Sequence, residues 1–145
     1  MPTFLLASFI IQLSASLFLT GLIWVIQLVH YPMLRFVALD HFEVGHLHHT
    51  SRMGWIAAPV MILELGTAIV LAWSYANVFW IAQLLAVLAL WAFTFGLSVP
   101  LHQRLSKGMN EAVAARLIAT NWPRTLLWSA RSVGLLAYLF ILLKV

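Results

Sequence analysis

The sequence contains no cysteine, which excludes disulfide bonds and thiolate ligands for a metal ion. Any metal site would therefore have to use imidazole or oxygen ligands. Charge is also scarce: only 8% of the residues are Asp, Glu, Lys or Arg, whereas a soluble globular domain has about a quarter. With 63% hydrophobic residues and a mean hydropathy of +0.99, this chain of 145 residues is typical of an integral membrane protein.

Charged residues are missing from two long stretches of the chain. The first charged side chain is Arg35, and none occurs between Glu64 and Arg104. Since about 20 apolar residues cross a bilayer, the second stretch is long enough for two spans. The sequence therefore predicts an all-α integral membrane protein with a single domain, residues 1–145, that forms an up-down bundle of four transmembrane helices. The predicted spans cover about residues 4–31, 50–73, 78–99 and 122–143.

The first and third connectors each contain a segment with amphipathic character. The first connector mixes apolar residues with Arg35 and Asp40, and the third contains Asn110, a residue type that commonly caps helices, followed by the amphipathic segment 111–119. Both patterns predict short helices at the membrane surface. Pro59 in the second span removes one backbone amide and is expected to kink that helix.

The basic residues predict the orientation of the bundle. Most of them lie in the first and third connectors or at their edges: Arg35, Arg52, Arg104, Lys107, Arg116 and Arg124. The positive-inside rule places both connectors in the cytoplasm and both termini outside it, in a multi-pass protein of the bacterial inner membrane. A net charge of +4 could indicate a nucleic-acid partner, but basic residues at helix ends fit membrane topology better. The expected partners are membrane lipid and a lipophilic small molecule.

Polar residues concentrate where the predicted first and third spans end and the second and fourth begin. In an up-down bundle these four helix ends lie at one membrane face, so the sequence predicts a site there. Its candidate catalytic residues are His30, His49, Arg52, His102, Asn121 and Arg124. Gln27 and Arg104 are candidates for binding a cofactor at the same face. The arginines have a simpler alternative role as topology determinants.

A second polar group is expected deeper in the membrane. Glu64 lies 15 residues after His49, about 22 Å along a helix, so the two cannot bind one ligand atom together. An isolated charge at the bilayer centre costs at least about 2.5 kcal/mol, which predicts that Glu64 pairs with Arg131 or that both bind a cofactor. Asn121, Arg124 and Arg131 share one stripe of the fourth helix, which extends from the polar helix ends toward Glu64.

Three segments resemble the signature of a known family. They are LVHYPML (residues 28–34), VPLHQRL (residues 99–105) and NWPRTLLWSAR (residues 121–131). In order and spacing they resemble an uncharacterised family of small four-span bacterial membrane proteins that is grouped with the fungal anthrone oxygenases. The resemblance implies oxidation of an electron-rich aromatic compound to a quinone with O₂, without an established organic cofactor. It also implies functional roles for the residues His30, His102, Arg104, Asn121 and Arg124.

The first functional hypothesis is a membrane oxidoreductase that acts on a lipophilic phenol, quinol or related aromatic compound. His49 or His30 would act as the general base, since imidazole exchanges protons near neutral pH. Arg52 or Arg124 would stabilise the resulting oxyanion.

Two further hypotheses remain open from the sequence. In the first, a transition metal, Cu or Fe, is bound by His30, His46 or His49, and His102, or a haem b is held between His30 or His49 and His102. In the second, the chain is an accessory subunit of a larger membrane complex or a homo-oligomer, whose small residues mediate packing between helices.

Overall fold

A computed structural model of the protein describes residues 2–144. It contains four long helices: α1 (Thr3–Phe36), α2 (Phe42–Tyr75), α3 (Val78–Leu105) and α4 (Glu111–Leu143). Each is long and apolar enough to cross a membrane, and residues 2–144 contain no strand. The predicted all-α fold with four spans is thus confirmed, and the chain is a multi-pass membrane protein.

Each helix is longer than its predicted span, and the first and third connectors shrink to the short segments 37–41 and 106–110. The predicted amphipathic segment 111–119 is helical, but it forms the first turns of α4 instead of a separate surface helix. Asn110 caps α4 as expected, because its Oδ1 accepts a hydrogen bond of 3.0 Å from the Val113 amide. Residues 42–49 similarly begin α2, since no proline interrupts the helix before Pro59.

Two wide helical turns distinguish one end of the bundle. A π-helical turn occupies Ile26–His30 in α1, just before Pro32, and a second occupies Thr94–Ser98 in α3, just before Pro100. Proline crowds the turn that precedes it and cannot donate a backbone hydrogen bond, and a π turn accommodates both effects. We call this end, where α1 and α3 finish and α2 and α4 begin, the histidine end.

At the opposite end, here called the turn end, a tight connection joins α2 to α3. Ala76 adopts a left-handed conformation with φ 44°, and the Asn77 side chain caps α3 by accepting from the Trp80 amide at 3.1 Å. Leu71, Ala72 and Trp80 belong to one buried cluster, so α2 and α3 pack closely there. Large apolar side chains elsewhere face outward, where lipid surrounds the bundle.

Candidate functional site

Four histidines meet at the histidine end. His30 comes from the π turn of α1, His46 and His49 lie one turn apart on α2, and His102 is near the end of α3. The rings of His30 and His49 stack with centroids 3.5 Å apart and an interplanar angle of 18°, and the rings of His46 and His102 have centroids 5.2 Å apart. The grouping expected from the helix ends is therefore present.

His102 is the most highly connected of these histidines. Its Nε2 lies 3.0 Å from the Tyr31 hydroxyl, and its Nδ1 lies 3.4 Å from Nε2 of His46. The same His46 nitrogen is 3.3 Å from the His102 carbonyl oxygen. Tyr31 was not among the predicted site residues, although it lies directly between His30 and Pro32 and the π turn directs it into the bundle.

The histidines do not form the predicted copper or iron site. Within residues 2–144, no group of three or more His, Asp or Glu side chains is arranged to hold a metal ion. The reason is geometric: the nitrogen lone pairs of imidazole lie in the ring plane, whereas His30 and His49 face each other ring on ring. Both nitrogens of His102 contact protein groups, so ligation of a haem iron by His102 would break at least one of these contacts.

Arg124 extends the site from α4 into the bundle. Its side chain is buried, and its Nη1 donates hydrogen bonds to Ser98 Oγ at 2.9 Å and to Asn121 Oδ1 at 3.0 Å. Asn121 in turn donates to Gln27 Oε1 at 2.8 Å. The structure thus brings together the predicted residues Gln27, Asn121 and Arg124, and adds Ser98, which the wide turn of α3 directs inward.

The charge of Arg124 is not neutralised by a carboxylate. No ion pair found within residues 2–144 includes Arg124, and its Nε is buried without a hydrogen-bond partner. The guanidinium lies over the ring of Trp128, 5.3 Å from its centroid, which provides a cation–π contact. A buried cation with only neutral neighbours favours an anionic group beside it.

Two predicted site residues lie elsewhere. The side chains of Arg52 and Arg104 are exposed, so the structure does not bring them into the histidine and arginine group. Arg52 lies three residues after His49, a rotation of about 60° around the helix, which takes it beyond the buried face. Between the two arginines proposed for oxyanion stabilisation, only Arg124 faces the interior.

A cavity of about 480 Å³ lies beside this group, between α2 and α3. Its polar end is formed by His49, His102 and Arg124, together with Tyr31 and Ser98. Apolar side chains such as Met61, Trp91 and Phe95 form much of the remaining wall. The volume is within the range of about 300–1,000 Å³ that holds small organic ligands. The cavity is therefore suited to a molecule with an apolar body and one polar or anionic group.

The predicted pair in mid-membrane is confirmed. Glu64 is fully buried and forms an ion pair with Arg131. Trp128 Nε1 donates to Glu64 Oε2 at 3.2 Å, and Arg131 Nε donates to Gln83 Oε1 at 3.1 Å. None of these four side chains lines the cavity. Trp128 connects the two polar groups, because its ring contacts Arg124 while its Nε1 contacts Glu64.

No family model matches the chain, and neither a curated protein nor a solved structure is detectably similar to it. The resemblance to the four-span family stays an expectation that depends on three short motifs. The function must therefore be inferred from the cavity and the side chains around it.

Proposed function

We propose that the protein is a membrane oxidoreductase that acts on a lipophilic aromatic or quinonoid substrate in the cavity between α2 and α3. The observation that carries the proposal is the composition of that cavity. It combines an apolar wall with two imidazoles and an arginine whose charge no carboxylate neutralises. Such a pocket suits a substrate that becomes an oxyanion during the reaction.

The apolar wall would hold the body of the substrate. Trp91 and Phe95 lie on α3, and Met61 lies across the cavity on α2. An aromatic ring between the helices would therefore contact the two aromatic rings and the flexible methionine side chain. Aromatic rings stack favourably in offset or edge-on arrangements, and the thioether of methionine also packs well against rings. An aromatic substrate would bury much of its surface here.

His49 is the better candidate for the general base. It lines the cavity, whereas His30 stacks behind it and does not. His49 also makes no hydrogen bond to any other side chain within residues 2–144, so its nitrogens are available to a substrate. His30 would then act as a positioning residue that fixes the orientation of the His49 ring.

In this proposal, His49 removes a proton from an activated carbon or hydroxyl of the substrate. The electron pair of the broken bond stays on the aromatic system, and Arg124 stabilises the negative charge that collects on the substrate oxygen. The oxidant is O₂, as the family resemblance implies. For an aryl methylene group, O₂ adds to the anion to form a C–O bond, and the resulting peroxide takes back the proton held by His49. Loss of the second C–H proton with cleavage of the O–O bond then releases one water and leaves the quinone carbonyl.

The membrane orientation belongs to the same proposal. Arg35, Arg52, Arg104 and Lys107 are exposed at the histidine end, and under the positive-inside rule this supports a cytoplasmic location for this end. Both termini would then lie outside the cytoplasm of a bacterial inner membrane. The cavity would open near the inner leaflet.

Two adjacent histidines provide a matched test. His49 lines the cavity, whereas His48 is exposed, so His49→Gln and His48→Gln make the same chemical change in two environments. Purified protein would be incubated with anthrone in deuterated buffer without O₂, and proton exchange at the methylene would be followed by NMR. We expect His49→Gln to lower the catalysed exchange rate by about 100-fold or more, and His48→Gln to leave it unchanged.

Readmitting O₂ tests the second half of the reaction. The wild type should consume one O₂ for each quinone formed, and His49→Gln should be slow in both measurements. Exchange no faster than in buffer for the wild type would contradict the proposed proton abstraction. Exchange without O₂ consumption would show that the protein catalyses proton transfer but not oxidation, and would contradict the proposed oxidation.

A further inference from the structure

The two helices that enclose the cavity contact each other near both ends. At the histidine end, Nε2 of His46 on α2 lies 3.3 Å from the His102 carbonyl oxygen on α3. At the turn end, α2 and α3 share a buried cluster that includes Leu71 and Trp80. Toward the histidine end the cavity lies between them, and small residues of α2, including Gly54 and Ala58, form its edge. A Cβ atom added at Gly54 would meet no other atom within 4 Å, so the edge is open there.

The cavity reaches the outer surface at the histidine end, where Leu47, Gln103 and Ser106 line it and are exposed, and again further along the helices. Gly54, Ala58 and Phe95 line the cavity and are also exposed, Phe95 by 59%. Ala58 lies six residues beyond Arg52, about 9 Å further along α2, and Phe95 lies nine residues before Arg104, about 13 Å along α3. Since exposed arginines place their charge at the headgroup level, Ala58 and Phe95 face acyl chains, whereas Gly54, two residues after Arg52, lies close to that level.

The cavity and the adjacent leaflet are both polar at the histidine end and apolar toward the middle of the membrane. His102 and Arg124 lie toward the histidine end, where the exposed basic residues mark the headgroup level. Met61 and Trp91 lie at the other end of the cavity, toward the middle of the membrane. An amphiphile in this leaflet already has its polar group and its apolar body at matching depths.

We infer that the substrate enters the cavity sideways from the bilayer, through the gap between α2 and α3 at Gly54, Ala58 and Phe95. The identity of the substrate in this inference rests on the proposed function, whereas the route does not depend on it. A molecule that moves within the plane of the leaflet keeps its orientation, and its polar group stays at the headgroup level. The substrate class is a membrane-dissolved amphiphile with one acidic oxygen, which Arg124 attracts.

The absence of cysteine makes the route testable with single-cysteine variants. Ala57 is half-buried and lines the cavity, so Ala57→Cys places one thiol inside it. In vesicles, the variant would be exposed either to a maleimide with a long alkyl chain, which dissolves in the bilayer, or to a charged maleimide confined to water. We expect the alkyl reagent to label the thiol at least 10-fold faster than the charged reagent.

A substitution at the edge tests whether the gap is the route. Ala58→Trp, added to Ala57→Cys, should slow labelling by the alkyl maleimide at least 10-fold, because the indole would fill the gap. Gly66→Trp is the matched control, since Gly66 is also exposed on α2 and does not line the cavity, and a Cβ atom added there would meet no other atom within 4 Å. This control should label at the rate of Ala57→Cys alone.

The result that would overturn the inference is equally specific. Faster labelling by the charged maleimide would show that the cavity is reached from water. Equal rates with Ala58→Trp and Gly66→Trp would show that the gap at Ala58 is not the route. Met53→Cys provides a second thiol in the cavity if Ala57→Cys does not fold. The labelling rates are measured without substrate. They can therefore contradict the proposed route while anthrone exchange supports the proposed function, or support the route while anthrone exchange contradicts the function.

Discussion

Two buried arginines on α4 differ in how their charge is balanced. Arg131 forms an ion pair with Glu64 and a hydrogen bond to Gln83, so the protein itself neutralises its charge. Arg124, seven residues earlier on the same helical stripe, contacts only neutral groups and an aromatic ring. Arg124 lines the cavity between α2 and α3, and Arg131 does not. The comparison indicates that Arg131 stabilises the bundle, whereas Arg124 is available to bind a ligand.

The difference has an energetic basis. Removing two charges from water is costly, and the mutual attraction of Glu64 and Arg131 offsets this cost only while both are present. Removing one partner leaves a buried charge without compensation. Arg124 already lacks a charged partner, so its removal should affect stability much less and affect an anionic ligand much more. The two sites should therefore respond to substitution in opposite ways.

The largest expected effect is on stability, at the mid-membrane pair. Glu64→Gln leaves the charge of Arg131 uncompensated in the bundle, and we expect it to lower the free energy of unfolding by about 3–5 kcal/mol. Thermal unfolding in detergent, followed by circular dichroism, would measure the change. The double variant Glu64→Gln/Arg131→Gln should recover most of the loss, since it removes both charges. A double variant as unstable as the single one would contradict the role of the pair as a unit.

The next effect is on binding, at Arg124. Arg124→Gln removes the charge but keeps an amide that can donate to Ser98 or Asn121. A hydrogen bond with a charged group contributes about 1.5–3 kcal/mol, so the affinity for a lipophilic phenolate should fall by roughly 10- to 150-fold. Equilibrium dialysis in detergent would measure it. Arg124→Lys, which retains the charge, should lose less, and a phenolate affinity that is equal in all three proteins would contradict the assignment.

Much of this comparison could be predicted from the sequence, because it depends on distance along a helix. The absence of charge located the four spans, and the rise per residue separated Glu64 from His49 and matched it with Arg131. Topology alone placed Gln27 and Asn121 at one membrane face. These features depend on chain order and helix length, which the sequence determines directly.

What could not be predicted depends on rotation about the helix axes. The π turns before Pro32 and Pro100 change the direction of the residues around them, and Tyr31 and Ser98 enter the site for that reason. Proline indicates a local disturbance, but its position does not specify a wide turn. The stacking of His30 on His49 likewise depends on ring orientation, which explains why four nearby histidines do not form the expected metal site.

The smallest expected effect is at Arg52, which the sequence placed beside His49 in the site. Its side chain is exposed on the outer face of α2, so Arg52→Gln should change the free energy of unfolding by less than about 0.5 kcal/mol. The phenolate affinity should also be unchanged, because the charge does not reach the cavity. Equilibrium dialysis of Arg52→Gln and Arg124→Gln in parallel compares their phenolate affinities in one experiment. A loss of affinity for both variants would contradict the distinction between the two arginines.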